Sequence, residues 1–361
     1  MKVRYGTRRK TKPELILLLE AVANGRTDLS LKNFRVEQIR WAIETGLGPL
    51  LFHSIQQRSD NSAFASWDLL RAADLTARVL MANHLEAMAE IIDACRERAV
   101  PITLLKGISI GEEFYPEAHL RVMRDIDFLV AKECVPAVEA ILHEQGYKQY
   151  SQRFADHHNM PFLHEEKGVW VEVHHALFSG LQSAAMAKVF HIGNILAELQ
   201  PSRFQGREVV RLSTELQLVY LACHWAQTFQ PIGGAIALVD ATYLLTRARD
   251  ALRWSRILNW VDGCLAATYL YLLLSYLDRY RLVKIAPQLM DQLFRSQPSL
   301  GRLSLKSAHA IIDRYLIRGT DFSPLLTIRN VDIVWQMLTL PDPFLRKLIV
   351  RRLTRAFVGG F

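Results

Sequence analysis

A mixed α/β fold, in which a small β-sheet is flanked in the chain by helical regions, is predicted by three observations. An apolar run, Ile102 to Leu105, ends at Lys106-Gly107, and a β-branched run, Ile126 to Val130, begins beside Arg124-Asp125. The stretch Leu104 to Val130 therefore reads as strand, glycine turn, short helix, second strand. Further short strand patterns follow up to His174, and on either side the apolar residues recur at helical spacing.

Taken in order, Pro13 to about Ala99 carries helical periodicity in PELILLLEAV, in VEQIRWAIETGLGPLLFHSI and in LLRAADLTARVLMANHLEAMAEIIDAC. Gly46, Gly48 and Pro49 break the second of these. The last helix must end before Pro101, because the residue preceding a proline disfavours the helix. After the Ile126 strand, a helix over Val135 to Gln145 is closed by Gly146. Strands are expected at Tyr147 to Phe154, Met160 to Glu165 and Val169 to His174, the last two joined by a tight Glu166-Lys167-Gly168 turn. From about Thr214 helical patterns return, with a loop at Pro231-Ile232-Gly233-Gly234, and Pro341-Asp342-Pro343 stops them. The expected division is a helical region 1–99, an α/β core 100–178, a C-terminal helical region 179–343 and a basic amphipathic tail 344–361.

The length of 361 residues can bury a sizeable core, and with half the residues hydrophobic and 22% charged the composition is globular, not disordered. The most apolar segment, Leu265 to Leu277, falls short of the roughly 20 residues needed to span a bilayer and reads as a buried helix. No transmembrane segment and no secretory signal are expected, which places the chain in the cytoplasm. Cys95, Cys134, Cys223 and Cys264 are widely spaced without a CxxC pair, so reduced thiols are expected. The net charge of +8 is concentrated at the two ends, in Arg8, Arg9, Lys10 and Lys12 and in Arg346, Lys347, Arg351, Arg352 and Arg355. Solvated terminal charge is the reading favoured over a nucleic-acid partner.

The chemistry lies in the central unit. Strand side chains alternate, so Asp125 and Asp127 share one face while Ile126, Phe128 and Val130 take the other. Two carboxylates side by side repel each other and are costly to desolvate unless a cation neutralises them, and Mg²⁺ is the simplest such cation. In VWVEVHH, the alternation puts Trp170, Glu172 and His174 together, which adds a third carboxylate. A carboxylate pair, a glycine turn and a third acid are the parts of a two-metal phosphoryl-transfer site, the third acid completing a metal site or accepting the proton of an attacking hydroxyl. Lys106, Arg121 and Arg124 flank the acids and can either neutralise triphosphate charge or pair with the carboxylates. Arg124 is placed first because it adjoins Asp125.

The run LLKG, then YP, RDIDFLV, GY and VEVHH resembles the poorly characterised bacterial nucleotidyltransferase-like family of the polymerase β nucleotidyltransferase superfamily, over about Ile91 to Leu177. The resemblance implies a minimal nucleotidyltransferase sheet in which Asp125 and Asp127 bind Mg²⁺, Glu172 is the third carboxylate, and Gly107 with Ser109 sits at the nucleotide phosphates. Lys106 and Arg124 join the nucleotide-binding set. The expected reaction is transfer of a nucleoside monophosphate from a nucleoside triphosphate such as ATP to an unidentified acceptor, a small molecule, peptide or protein, with release of pyrophosphate.

Other readings compete. Asp-x-Asp at a strand end is often only a solvated edge. The histidines His157, His158, His164, His174 and His175 invite a metal-dependent phosphohydrolase, but no HxxxH or HExxH spacing supports it. His158 and His174 are expected behind the carboxylates, while His224 and Asp240 either close over the site or join two packed helices. The sheet can also serve as a non-catalytic binding module in a biosynthetic or peptide-maturation complex, which the irregular glycine motif favours. A basic accessory protein docking through its terminal segments is the third possibility, marked by steep salt dependence.

Overall fold

The computed structural model describes residues 17–21, 24–150, 157–178, 186–227, 231–248 and 251–298, with 305, 309 and 312. The basic N-terminal and C-terminal segments singled out above lie outside the described residues.

Helices α1 (Val36–Glu44) and α2 (Gly48–Ile55) are separated where Gly46 adopts φ +83°, and Pro49 sits in the first turn of α2, so the sequence breakers act as expected. Helix α3 (Ser66–Glu97) then runs for 32 residues and stops just short of Pro101. Next come β1 (Thr103–Leu104), α4 (Lys106–Phe114), β2 (Asp125–Leu129), α5 (Val135–Glu144), β3 (Lys148–Gln149), β4 (Phe162–His164) and β5 (Val169–His174). Gly146 (φ +88°) closes α5, and Gly168 (φ +64°) makes the β4–β5 turn. The remainder of the Tyr147 to Phe154 strand expectation, from 151, lies outside the described residues.

Two short helices, α6 (Ala187–Phe190) and α7 (Ile192–Ala197), lead to a hairpin absent from the sequence reading, β6 (Leu199–Phe204) and β7 (Arg207–Leu212). Its two-residue turn, Gln205-Gly206, has positive φ at both positions, +47° and +82°, the arrangement that matches the twist of paired strands. The hairpin lies within the stretch assigned to C-terminal helices, yet it belongs to the sheet. Helices α8 (Thr214–Gln227), α9 (Pro231–Arg247), α10 (Trp254–Val261), α11 (Leu265–Arg279) and α12 (Pro287–Ser296) follow.

Among the described residues the seven strands form one mixed sheet in the order β3-β4-β5-β2-β1-β7-β6. β2 runs parallel to β5 and β1 parallel to β7, while β1–β2, β3–β4, β4–β5 and β6–β7 are antiparallel. The sheet is the expected mixed one, flanked by helices.

Its two faces differ as alternation requires. Ile126, Phe128, Val169, Val171 and Val173 are fully buried against the second half of α3 and against α5, in one apolar core. The N-terminal helices share a second core with the C-terminal ones, so the two helical regions close on each other around the other face. Leu265 to Leu277 is buried throughout within α11, as its apolar run predicts. No helix among the described residues is long and apolar enough to cross a membrane. None of the four cysteines is in a disulfide.

Candidate functional site

The acidic face is assembled by strand register. Asp127 stands opposite Glu172, Asp125 opposite Trp170 and Leu129 opposite His174 in the parallel β2–β5 pair, so Asp125, Asp127, Glu172 and His174 point to one side. Asp127 and His174 are buried and Glu172 is about a fifth exposed. The side chains of Asp127, Glu172 and His174 each offer an atom within 4.8 Å of the others, a spacing that can hold a metal ion. Two of these three donors are carboxylate oxygens, the ligand type hard divalent cations take, and the third is an imidazole nitrogen.

Lys106 enters from the neighbouring strand. The turn out of β1 is made at Lys106, which takes a left-handed φ of +45°, whereas Gly107 is already helical; the sequence had given that turn to the glycine. A non-glycine residue in this region costs about 1 kcal/mol. That cost is offset by an ion pair, because Lys106 Nζ donates to Asp127 Oδ1 at 2.7 Å. Gly107 has a packing reason to be glycine: a Cβ there would stand 3.2 Å from Met123 Cβ and 3.3 Å from its Sδ. A side chain there would force the first turn of α4 or the segment leading into β2 to shift by a few tenths of an ångström.

The electrostatics separate the two aspartates. Burial raises the Asp127 carboxyl, but Lys106 and the hydrogen bond from His174 Nε2, at 2.8 Å, outweigh it and hold Asp127 below the usual carboxylate range. Asp125 has no such partner among the described residues. Burial, then the charges of Asp127 and Glu172, push its carboxyl well above that range, against the weaker pull of Lys106 and Arg121. Glu172 is lowered: burial opposes ionisation, and the His174 imidazole, whose Nε2 lies 3.7 Å from Oε2, overcomes it. A cation at this site would relieve the repulsion around Asp125.

The roof comes from α8, of which sequence reading had offered His224 as closing over the site but not Tyr220. Tyr220 is buried, its charge environment is set by Lys106, Asp127 and Glu172, and its hydroxyl has no hydrogen-bond partner among the described residues. Burial, with Lys106 nearby, pushes the His224 imidazole down to about 3, so it is neutral. No pattern in ELQLVYLACHWAQ distinguishes Tyr220 from a core tyrosine. His158 lies beside this group, bridging to His174 across the backbone, with rings 5.2 Å apart.

Other sequence candidates are set apart from the acids. Ser109 is fully buried and turned to Arg211 of β7, whose Nη1 donates to its Oγ at 3.0 Å and to its carbonyl at 2.7 Å. Arg124 is exposed and makes no ion pair among the described residues. Arg121, placed behind Arg124 in the sequence reading, is the arginine whose charge reaches Asp125. It is held from α9: Nε and Nη2 bind the Asp240 carboxylate at 2.9 to 3.1 Å, and Tyr115 donates to Asp240 at 2.6 Å. Asp240 therefore joins packed elements, the second of its two expected roles.

Comparison with known proteins gives a family and a distant structural likeness. Residues 37–281 match the model of a family described as an uncharacterised nucleotidyltransferase. No curated protein matches the chain. Among solved structures, an antigenic nucleotidyltransferase-like protein from Paracoccidioides brasiliensis is similar at 13% identity and a TM-score of 0.36, over 59% of this chain and 94% of that one. Since the family match takes in more than half of the chain, including every residue of the acidic face, the protein belongs to the uncharacterised nucleotidyltransferase family.

Proposed function

We propose that the chain transfers a nucleoside monophosphate from a nucleoside triphosphate to an acceptor hydroxyl, with Mg²⁺ held by Asp125, Asp127 and Glu172. The observation that carries this reading is the register that sets Asp127 against Glu172, with Asp125 on the same face and Lys106 at their side. When bound, the cation would neutralise triphosphate oxygens and the developing charge of the leaving group.

The chain's own residues supply the rest. Lys106 and Arg121 bring positive charge to one flank of the acids, where the β- and γ-phosphates are best accommodated. His174 keeps Asp127 ionised and lies against Glu172, which either completes the metal site or accepts the proton of the acceptor hydroxyl. The acceptor oxygen then bonds to the α-phosphorus, the bond from that phosphorus to the α,β-bridging oxygen breaks, and pyrophosphate leaves. Tyr220, with an unused hydroxyl facing the same charges, is a donor available to a phosphate oxygen.

A second reading has one observation in its favour. Lys106 and His174 already neutralise Asp127, so the site can stand without a metal, as a non-catalytic binding module on this fold would require. Titrating ATP, GTP, CTP and UTP into the protein with and without Mg²⁺, and repeating this on Asp125→Asn, separates the two. Metal-dependent binding lost in the variant supports the transferase, and a folded wild-type protein that binds none of the four leaves the binding module.

A further inference from the structure

On the open side of the acidic face lie two aromatic rings that the reaction above does not use. Trp170 is the strand partner of Asp125 and shares the face of Glu172 and His174. Adjacent strands run about 4.8 Å apart, so its ring starts one strand from the carboxylate. Trp170 pairs with Leu163 of β4, and Leu163 with Lys148 of β3, so Lys148 and, two residues on, Tyr150 continue the same face outward. Tyr150 meets Trp170 edge to face, with centroids 5.9 Å apart. Its hydroxyl is tied to Glu165, which also takes Lys148 Nζ at 2.8 Å, so the ring is held from its far end. Despite this anchoring, Trp170 remains 36% exposed and Tyr150 49% exposed.

An indole held open on the face of the carboxylates offers a flat apolar surface of the size a nucleobase covers. The charge around the acids gives the shelf a direction. Lys106, on the β1 side, and Arg121 draw the β- and γ-phosphates to one flank, while Tyr220 and His224 close the roof from α8. The end of a nucleoside triphosphate opposite its γ-phosphate is the base, and the side opposite Lys106 is the β5 side, where Trp170 stands. Resting on the nucleotidyltransferase reading, we infer that Trp170, braced by Tyr150, is the stacking platform for the donor nucleobase. Stacking on an indole tolerates any base, so donor selectivity must come from elsewhere.

The test uses the full chain and two probes with Mg²⁺: whichever of ATP, GTP, CTP and UTP binds most tightly, and inorganic tripolyphosphate, which has the charge without the base. Base stacking is worth about 1–3 kcal/mol by alanine substitution, so Trp170→Ala should weaken nucleotide binding about fivefold or more. Tripolyphosphate binding should be unchanged, and Trp170→Phe should keep most of the nucleotide affinity. Equal nucleotide affinity in wild type and Trp170→Ala would overturn the platform while leaving the transferase reading in place. Parallel loss of both probes would overturn it too, as damage to the site itself. A wild-type protein that binds neither probe removes the transferase reading and the platform with it.

Discussion

Two groups of buried charge lie side by side in this molecule, and they are built on opposite rules. In the seam between α4, β2 and α9, the Arg121 guanidinium is met by both oxygens of Asp240, by the carbonyl of Val122, and through Asp240 by Tyr115. The two charges there neutralise each other, and all three guanidinium nitrogens donate a hydrogen bond. On the acidic face, one carboxylate is over-supplied with cations, its neighbour Asp125 is under-supplied, and the Tyr220 hydroxyl is buried with no partner. The first arrangement joins parts of the fold. The second holds unmet demand for positive charge and for an acceptor, which an apo fold gains nothing by keeping and a phosphate-and-metal substrate would satisfy.

The largest effect should come from breaking the satisfied group. Asp240→Asn leaves Arg121 buried without its counter-charge, and removing one partner of a buried ion pair costs about 3 kcal/mol or more. Denaturant unfolding should show that loss, and Mg²⁺-nucleotide binding should weaken with it, because Arg121 is no longer held beside Asp125. Stability within about 0.5 kcal/mol of wild type would mean that the seam is not what joins α9 to the sheet.

Asp125→Asn should do the reverse. A carboxyl raised by burial and like charge takes up its proton more readily in the folded state, so its contribution to stability declines as pH rises through its folded titration. Removing the charge should leave the apo protein as stable at neutral pH as the wild type, or more so, while Mg²⁺-dependent nucleotide binding disappears. For the same reason, wild-type affinity for Mg²⁺ should strengthen with rising pH above the ordinary carboxylate range. A variant that loses stability and keeps binding would reverse the assignment of the two regions.

A third substitution isolates the roof. Tyr220→Phe removes a buried hydroxyl that lacks a partner, and such a group costs about 1–3 kcal/mol. The apo protein should gain stability on the order of 1 kcal/mol, and nucleotide affinity should drop several-fold. A gain in melting temperature with unchanged nucleotide binding would return Tyr220 to the ordinary core.

How much of this was legible in the sequence depended on whether the signal was local. Alternation in RDIDFLV put Asp125 with Asp127, and alternation in VWVEVHH put Glu172 with His174, because the facing of residues within a strand is set residue by residue; the β2–β5 register then brings the two sets to one side. The β6–β7 hairpin was not read. Its outer strand contains Pro201 and is exposed over much of its length, so the two-residue apolar period is weak, and only Gln205-Gly206 marks the turn. Missing β7 also meant missing Arg211, and with it the reason Ser109 faces the interior instead of a phosphate. Lys106 was recognised as a cation beside the acids, but its left-handed turn follows from where α4 must start. Tyr220 sits in a helix whose periodicity says only that it is buried.

Arg124 gives the smallest expected effect and tests that lesson directly. Adjacency in sequence put it first among the cations, yet on a strand the neighbour of a site residue is the residue that points away from it. Arg124 is exposed and without an ion pair, whereas Lys106, far from Asp127 in the chain, touches it. Arg124→Ala should therefore change stability by less than about 0.5 kcal/mol, as substitutions at unpaired surface positions do. Mg²⁺-nucleotide affinity should fall by no more than the loss of one screened surface charge, whereas Lys106→Ala should weaken it strongly. Binding isotherms of the two variants at low and at physiological salt decide the matter. A large, salt-resistant loss in Arg124→Ala would show that a bound triphosphate draws Arg124 into the site.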